Sequence, residues 1–489
     1  MSEQLQCDFK RPECDQCTQR GLVCGGYDED RIFVDQNVRF PDIASTAVNR
    51  GPSRANSSST RRHSPPRNIQ IEALQYAQAG LALSQHGVVL PDSLARSAYN
   101  EKSIEMFRNS YAPSALKTSS AAAFSSANKF PDLLPALYVQ DDALRLALLA
   151  TSSATIGQAT GDVWMMEQGK KLYSRALVEM SKAVKDPQRS RSPAVSAVPR
   201  VMGLFEILFG SDINLNVQAR SWRSHAEGEL ALMKAKGPRA HADGPAHALF
   251  VDGRLNPIIA AIRTRKATVL NTPEWKTLPW TTIPKTPKDS LFDVLAGCPE
   301  ILELIKTLPS ITDAERRADL IAIIRMKAAV LRTELEQWRI LNPSCVHTPD
   351  VDEPTPITFP DFSTAYLSVM YWTTGSLILQ SLADPTRVLD FSPAPSLTPT
   401  SSTDRATAIL FARRITRSAA YFFEPSRGIL GSTMISFPTG MAMLTFHCGD
   451  GGPENHEYVG LVRKAWSNPN LPSAIKRFLT SMQQDAVEN

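Results

Sequence analysis

The sequence has few cysteines and none of the short motifs that mark common enzyme classes. Only seven cysteines occur among 489 residues, and Cys298, Cys345 and Cys448 stand far apart. Such scattered thiols exclude the dense disulfide framework of a small secreted protein and fit a reducing compartment. There is no P-loop, G-x-G-x-x-G, H-E-x-x-H or G-x-S-x-G motif. We therefore predict that the protein is not an enzyme and assign no catalytic residue.

Strong charge and a leader sequence are also lacking. The net charge is +4 and the pI is about 8.6, which is too mild to indicate a nucleic-acid partner by itself. The first residues are polar, which argues against a signal peptide. Hydrophobic residues make up 43% of the chain and charged residues 21%, as in an ordinary soluble globular protein.

A long uncharged segment runs from residue 362 to residue 383, close to the length of a membrane-spanning helix. It contains many serine and threonine residues, however, and Asp361 and Asp384 flank it directly. This composition predicts a helix buried on most sides in a large core. We expect no membrane association.

Convincing strand patterns are absent, and from about residue 98 the apolar spacing is helical. Asp141 and Asp142 precede a helical apolar pattern and are suited to a helix start. Further helices are predicted near residues 193–211, 217–236, 404–423, 433–447, 455–467 and 471–484. The fold class is therefore all-α, with one large helical domain over residues 96–489.

The longest predicted helix opens with Thr312 as N-cap and Glu315 three residues later, the pattern of a capping box. Asn342 and Pro343 end it. Its apolar positions should share one buried face; they are Leu320, Ile324, Leu331, Leu335 and Trp338.

Residues 28–95 are predicted to form a mostly disordered linker. The stretch GPSRANSSSTRRHSPPR is rich in serine, proline and arginine and cannot bury enough apolar surface to fold. Its arginines can touch phosphate or act as a nuclear-import signal, although a solvated tether explains them equally well. The segment Ser392–Thr403 is expected to be a low-complexity surface loop.

Residues 1–27 hold four cysteines with ordered spacing, C-x6-C-x2-C-x6-C. They are Cys7, Cys14, Cys17 and Cys24. The C-x2-C pair allows two thiolates in a tight turn to bind one zinc ion. The six-residue intervals allow further cysteine sulfurs to reach the same site. Four cysteines within 18 residues of a cysteine-poor chain predict a zinc site.

This module resembles the later part of the fungal binuclear zinc-cluster DNA-binding domain, which holds two zinc ions with six cysteines. Cys7 with Asp8 matches the third cysteine, Arg11-Pro12 the loop, and Cys24 with the following Gly26-Tyr27 the end of the motif. Cys14 and Cys17 match the fourth and fifth cysteines. The first two cysteines and their basic helix are expected just upstream of Cys7. A misplaced start codon or missed first exon would explain their lack, and a genuine truncated regulator is the alternative. The four cysteines present can close a single four-sulfur zinc site.

The resemblance implies that basic residues between the second and third cysteines read DNA bases, and this run is missing. Lys10, Arg11 and Arg20 remain as candidate phosphate contacts. Phosphate contacts position a protein on DNA but do not specify sequence. We therefore expect weak and unselective DNA binding by the chain as given.

The fungal regulatory domain that follows such clusters is similar to the helical body. The matches are WRSHAEGELALMKAKGP (residues 222–238) and RLNPIIAAIRTRKATVLNTPEWKTLPW (residues 254–280). In the first, His225 and Gly228 are expected to allow close helix packing.

In the second of these segments, two features are expected. Pro273, Pro279 and Trp280 should mark a non-helical stretch. Arg263, Arg265 and Lys266 should form one polar helix face, either solvated or open to an acidic effector.

Together these features imply a zinc-dependent, DNA-binding regulator of genes transcribed by RNA polymerase II, located in the nucleus. Expected partners are DNA, the transcription machinery or co-regulators, and a small-molecule effector. The alternative is a regulatory protein that does not read DNA and acts through protein contacts of its helical domain. A third hypothesis, an all-α ligand-binding or enzymatic domain, has less support.

Overall fold

The computed structural model describes residues 92–112, 130–210, 215–388, 402–448 and 453–467, together with residue 476. These residues belong to one compact unit, Ala79–Asn489. Within them the secondary structure is helical and no strand occurs, which confirms the predicted all-α fold. The predicted linker apart from its last four residues, the loop at 392–401, and the helix at 471–484 apart from residue 476 lie outside the described residues.

The α-helices of the described residues are numbered in chain order. They are α1 (Asp92–Tyr111), α2 (Phe130–Leu137), α3 (Asp142–Thr160), α4 (Val163–Lys185), α5 (Pro193–Phe209), α6 (Leu215–Lys236), α7 (Gly244–Gly253), α8 (Leu255–Thr264), α9 (Pro273–Thr277), α10 (Pro287–Leu295), α11 (Cys298–Thr307), α12 (Ala314–Leu341), α13 (Phe362–Ala383), α14 (Ser402–Phe422), α15 (Gly428–Cys448) and α16 (His456–Trp466).

Side-chain caps fix several helix starts. The Asp141 carboxylate accepts a hydrogen bond from the Ala143 amide at the start of α3, as its position before the apolar pattern predicts. For α12 the predicted N-cap is wrong by one residue. The cap is Asp313, whose carboxylate accepts from the Arg316 amide, so Thr312 lies outside the helix. Both residue types make good N-caps, and the aspartate also favours the positive end of the helix dipole.

The first half of the domain is built by close packing of neighbouring helices. Helix α3 packs against α4 and α5, and α5 packs against α6. A β-carbon at Gly169 of α4 would lie 2.9 Å from the carbonyl oxygen of Ala150, so glycine is required where α4 crosses α3. The apolar faces of these helices join one continuous core with those of the second half.

The second half is organised around α13, which has the bounds of the uncharged segment seen in the sequence. It is buried against α12, α14 and α15. Its hydroxyl groups donate to backbone carbonyls one turn earlier, as Thr373 does to Val369 and Thr374 to Met370. This internal bonding satisfies the polar groups and allows a serine- and threonine-rich helix to lie in the core.

Among the described residues, one segment is long and apolar enough to cross a membrane, Pro425–His447, which includes most of α15. Of its most apolar window, 67% is buried inside the molecule. This burial is typical of the core helix of a globular domain.

Two expectations for residues 263–280 are wrong. The stretch around Pro273 and Trp280 is not free of helix, because α9 and two short 3-10 turns occupy it. Arg263, Arg265 and Lys266 do not form one helix face. Helix α8 ends at Thr264, and Arg265 caps it in the left-handed conformation with φ 49°. The chain therefore turns away at Arg265 and Lys266.

Candidate functional site

A cluster of charged side chains is buried where α5, α6, α7 and α10 meet, and we call it the buried charge cluster. Its buried members are Arg200, Glu229, Asp252, Arg254, Lys288, Asp289 and Asp293, and the exposed residue Lys285 contacts the cluster from the surface. Charged residues are almost never fully buried unless they are paired. Inside the apolar core three positive side chains are therefore paired with four negative ones, and Lys285 supplies the fourth positive charge from the surface.

The first pair joins α5 to α6. Arg200 Nη2 lies 2.5 Å from Glu229 Oε1 and also donates to the carbonyl oxygen of Leu249. Both side chains are less than a tenth exposed. Burial raises the pKa of Glu229, and the Arg200 guanidinium opposes that shift. The guanidinium also lies over the ring of Phe130, 4.6 Å from its centroid, so the pair links α2 to the same centre.

Asp252 and Lys288 form a second, deeply buried pair. Lys288 Nζ lies 3.6 Å from Asp252 Oδ1, and the other carboxylate oxygen accepts a hydrogen bond from the Phe130 amide at 3.0 Å. Burial raises the pKa of Asp252 and lowers the pKa of Lys288. Both shifts favour the neutral forms, because neither charge is well solvated in this position.

Arg254 ties α7 and α8 to α10. Its Nη1 lies 2.6 Å from Asp293 Oδ1, and its Nη2 donates to the carbonyl oxygen of Asp289. The guanidinium lies 5.0 Å from the centroid of the Trp280 ring, a cation–π arrangement. Lys285 also contacts Asp293, at 2.5 Å. Arg254 therefore holds the junction of α7 and α8 against α10.

A small cavity lies beside the Arg200–Glu229 pair, between α5, α6 and α7. Glu229, Lys236 and His241 line it together with apolar side chains, and it has room for about one water molecule. Burial lowers the pKa of Lys236 to about 8, and burial also lowers the pKa of His241. Lys236 Nζ donates to the carbonyl oxygen of Ser192 at 3.1 Å and to Ser196 Oγ. The cavity suits a bridging water and is too small for an organic effector.

A second polar contact lies on the outer side of α5. Tyr173 Oη donates to Glu206 Oε1 at 2.5 Å and lies 2.8 Å from His225 Nε2. The Tyr173 ring stacks on Phe205 with a centroid distance of 4.2 Å. Tyr173 of α4 thus connects Glu206 of α5 with His225 of α6 through hydrogen bonds, and His225 has a polar contact where the sequence predicts only close packing.

The packing role expected for Gly228 is wrong. A β-carbon built on Gly228 would meet no atom within 4 Å, so the neighbouring helices do not approach it closely. Gly253, in contrast, is crowded, because it lies against Arg200 and Glu229.

The described residues offer little covalent or metal chemistry. They contain no group of three or more histidine, cysteine or acidic side chains able to hold a metal ion. Burial raises the pKa of the Cys298 thiol to about 12, so this thiol stays protonated and unreactive. The buried charge cluster is instead suited to holding α5, α6, α7 and α10 in fixed positions relative to one another.

The residues predicted to bind zinc and DNA lie outside the described residues. They are Cys7, Cys14, Cys17, Cys24, Lys10, Arg11 and Arg20. The buried charge cluster, in contrast, was missed from the sequence. A signal was present, because Arg200 stands alone within the apolar run AVPRVMGLF. Its partner Glu229 is 29 residues away, and that pairing depends on the tertiary fold.

Comparison with known proteins connects this domain to a family. Residues 104–374, more than half of the chain, match the family model described as Fungal specific transcription factor domain. Uncharacterized protein AN5342 of Emericella nidulans is 31% identical over 132 residues. That match spans 27% of this chain and 27% of the relative, so the chain covers only about a quarter of that protein's length. No solved structure matches the chain significantly.

Proposed function

The chain belongs to the family of the fungal specific transcription factor domain, and from this premise we propose that it is a zinc-dependent, DNA-binding regulator of RNA polymerase II genes. The family match over residues 104–374 supports a role in transcription regulation and carries the proposal. A nuclear location follows from that role. The zinc and DNA parts rest on the cysteine spacing of residues 7–24.

In this proposal the four cysteines hold one zinc ion as thiolates. Zinc would fold the module, because so short a segment has no core of its own. Lys10, Arg11 and Arg20 would then face the DNA backbone. The helical domain would pass a signal from a co-regulator, or from a small-molecule effector, to the transcription machinery.

Metal analysis of the purified full chain tests the zinc site. We expect one zinc per chain, and loss of that zinc in Cys14→Ser. Cys345→Ser is the matched control, since Cys345 is a half-buried thiol at the end of a 3-10 turn after α12 and should leave the zinc content unchanged. Two zinc ions per chain, or none, would contradict a single four-sulfur site.

A second function is that of a regulator that does not read DNA and acts through protein contacts. The small number of basic residues within the cysteine module favours it, because three cations supply little base recognition. Selection of DNA sites from a random-sequence pool by the full chain separates the two proposals. An enriched motif supports direct DNA reading, and recovery without enrichment supports the protein-contact function.

A further inference from the structure

Helix α12 carries an apolar stripe on its outer side, which we call the α12 stripe. It consists of Ile323, Met326, Val330, Thr333, Gln337 and Ile340, followed by Leu341 at the helix end. These residues are exposed, and Met326 and Ile340 are 60% and 77% exposed. Four of the six positions are large and apolar, which is unusual for a surface that faces only water.

The stripe is distinct from the face by which α12 joins the core. Ile324, Ala328, Leu331, Leu335 and Trp338 form that inner face and are buried. At 100° per residue the two sets point in nearly opposite directions. Core packing therefore explains one apolar face of α12 and leaves the second without an explanation.

The spacing of the stripe is that of a two-helix seam. Its residues recur at intervals of three and four, as the a and d positions of a heptad pattern do. Two copies placed antiparallel about a two-fold axis between Val330 and Thr333 would pair every a position with a d position. Ile323 of one copy would then meet Ile340 of the other at both ends of the seam.

Charge also fits an antiparallel pair. Lys327 and Glu334 flank the stripe on the same edge, at equivalent heptad positions. In the antiparallel arrangement each Lys327 faces Glu334 of the other copy, whereas a parallel arrangement places each of them beside an alanine. Lys327 also contacts Glu300 of its own chain at 2.8 Å, but both side chains remain more than a third exposed.

From these observations we infer that two copies of this chain associate through the α12 stripe as an antiparallel helix pair. The stripe spans ~27 Å at 1.5 Å per residue and is ~10 Å wide, a footprint of roughly 300 Å². That is well below the ~800 Å² per partner of a standard stable interface. The dimer is therefore reversible and depends on concentration.

Sedimentation velocity of the full chain over a hundredfold concentration range tests this inference. We expect a monomer–dimer equilibrium, and at least tenfold weaker association in the double variant Ile323→Glu/Ile340→Glu. Val163→Glu is the matched control, because Val163 is a 71% exposed apolar residue on α4, away from the stripe. It should leave association unchanged.

Charge exchange tests the orientation of the pair. Lys327→Glu should weaken association several-fold, and Lys327→Glu/Glu334→Lys should restore it. Thermal unfolding of each variant checks that the monomer stays folded. A monomer at all concentrations overturns the inference, as does a dimer that Ile323→Glu/Ile340→Glu leaves intact, which would indicate another contact surface.

Discussion

A β-carbon at Gly253 would overlap Arg200 Nη2 and Glu229 Oε1. The ion pair between α5 and α6 therefore occupies the space that any other residue at position 253 would need. Gly253 ends α7, so this close approach lets a third helix pack against the pair. Gly253 therefore belongs to the buried charge cluster through its backbone, although it has no charged side chain.

Gly253→Ala should destabilise the domain by about 3 kcal/mol, because the new methyl group must displace a buried ion pair. The measurement is urea unfolding followed by circular dichroism. Gly228→Ala is the matched control: its β-carbon has open space within α6, and alanine there should stabilise by ~0.5–1 kcal/mol. Equal stability of the two variants would show that Gly253 is not crowded in solution.

Arg200→Met should cost ~3–5 kcal/mol, because it leaves Glu229 buried without its partner charge. The double variant Arg200→Met/Glu229→Met should recover most of that loss, since an apolar pair of similar size needs no compensation. A double-mutant cycle by urea unfolding measures the coupling. For comparison, Lys170→Ala removes an exposed i,i+3 pair with Glu167 and should cost far less. Additive effects of the two cluster substitutions would contradict a coupled pair.

The lowered pKa of Lys236 predicts a pH dependence of stability. Its pKa is about 8 in the folded domain, whereas a solvated lysine has its ordinary pKa of 10.5, so the unfolded chain binds more protons between these two pH values. The free energy of unfolding contributed by this lysine should therefore rise from about pH 8 to pH 10.5 and stay flat below pH 8. The check is the difference between the wild type and Lys236→Met, from urea unfolding across pH 7–10. A difference that falls over this range would give the wrong sign for a lysine disfavoured by burial.

The proposed DNA contacts predict a shallow salt dependence. Three phosphate contacts give a slope of about −3 for log K against log salt, or roughly 40-fold weaker binding between 50 and 200 mM salt. Fluorescence anisotropy with a labelled duplex measures the slope, and Arg11→Ala should reduce it by about one. Lys182→Ala, at an exposed lysine of α4, should leave it unchanged. A slope near zero would exclude backbone contacts by Lys10, Arg11 and Arg20.

The sequence predicts helix bounds well where residues at the helix ends mark them directly. The bounds of α13 follow from an uncharged run between Asp361 and Asp384, and the end of α12 follows from Asn342-Pro343. The N-cap of α12 was misplaced because Thr312 and Asp313 are adjacent residues of similar capping strength. Helical domain limits and the zinc site remain predictions.

Contacts between residues distant in the chain could not be predicted from the sequence. Charged residues are normally read as surface, so Arg254 and Lys288 gave no sign that they lie in the core. The sequence shows that residues 228 and 253 are glycines, but it does not show which side chains approach them. The second apolar face of α12 was equally hidden, because only the packed structure shows which of two stripes is covered.

Control of transcription by the helical domain is the central claim, and tethering tests it most directly. The full chain is fused to an unrelated DNA-binding domain and directed to a reporter promoter in a fungal host. We predict that reporter transcript changes at least several-fold, up or down, relative to the tethering domain alone, and that Gly253→Ala weakens the change. A reporter level identical to that of the tethering domain alone, with the fusion expressed and folded, would contradict the account.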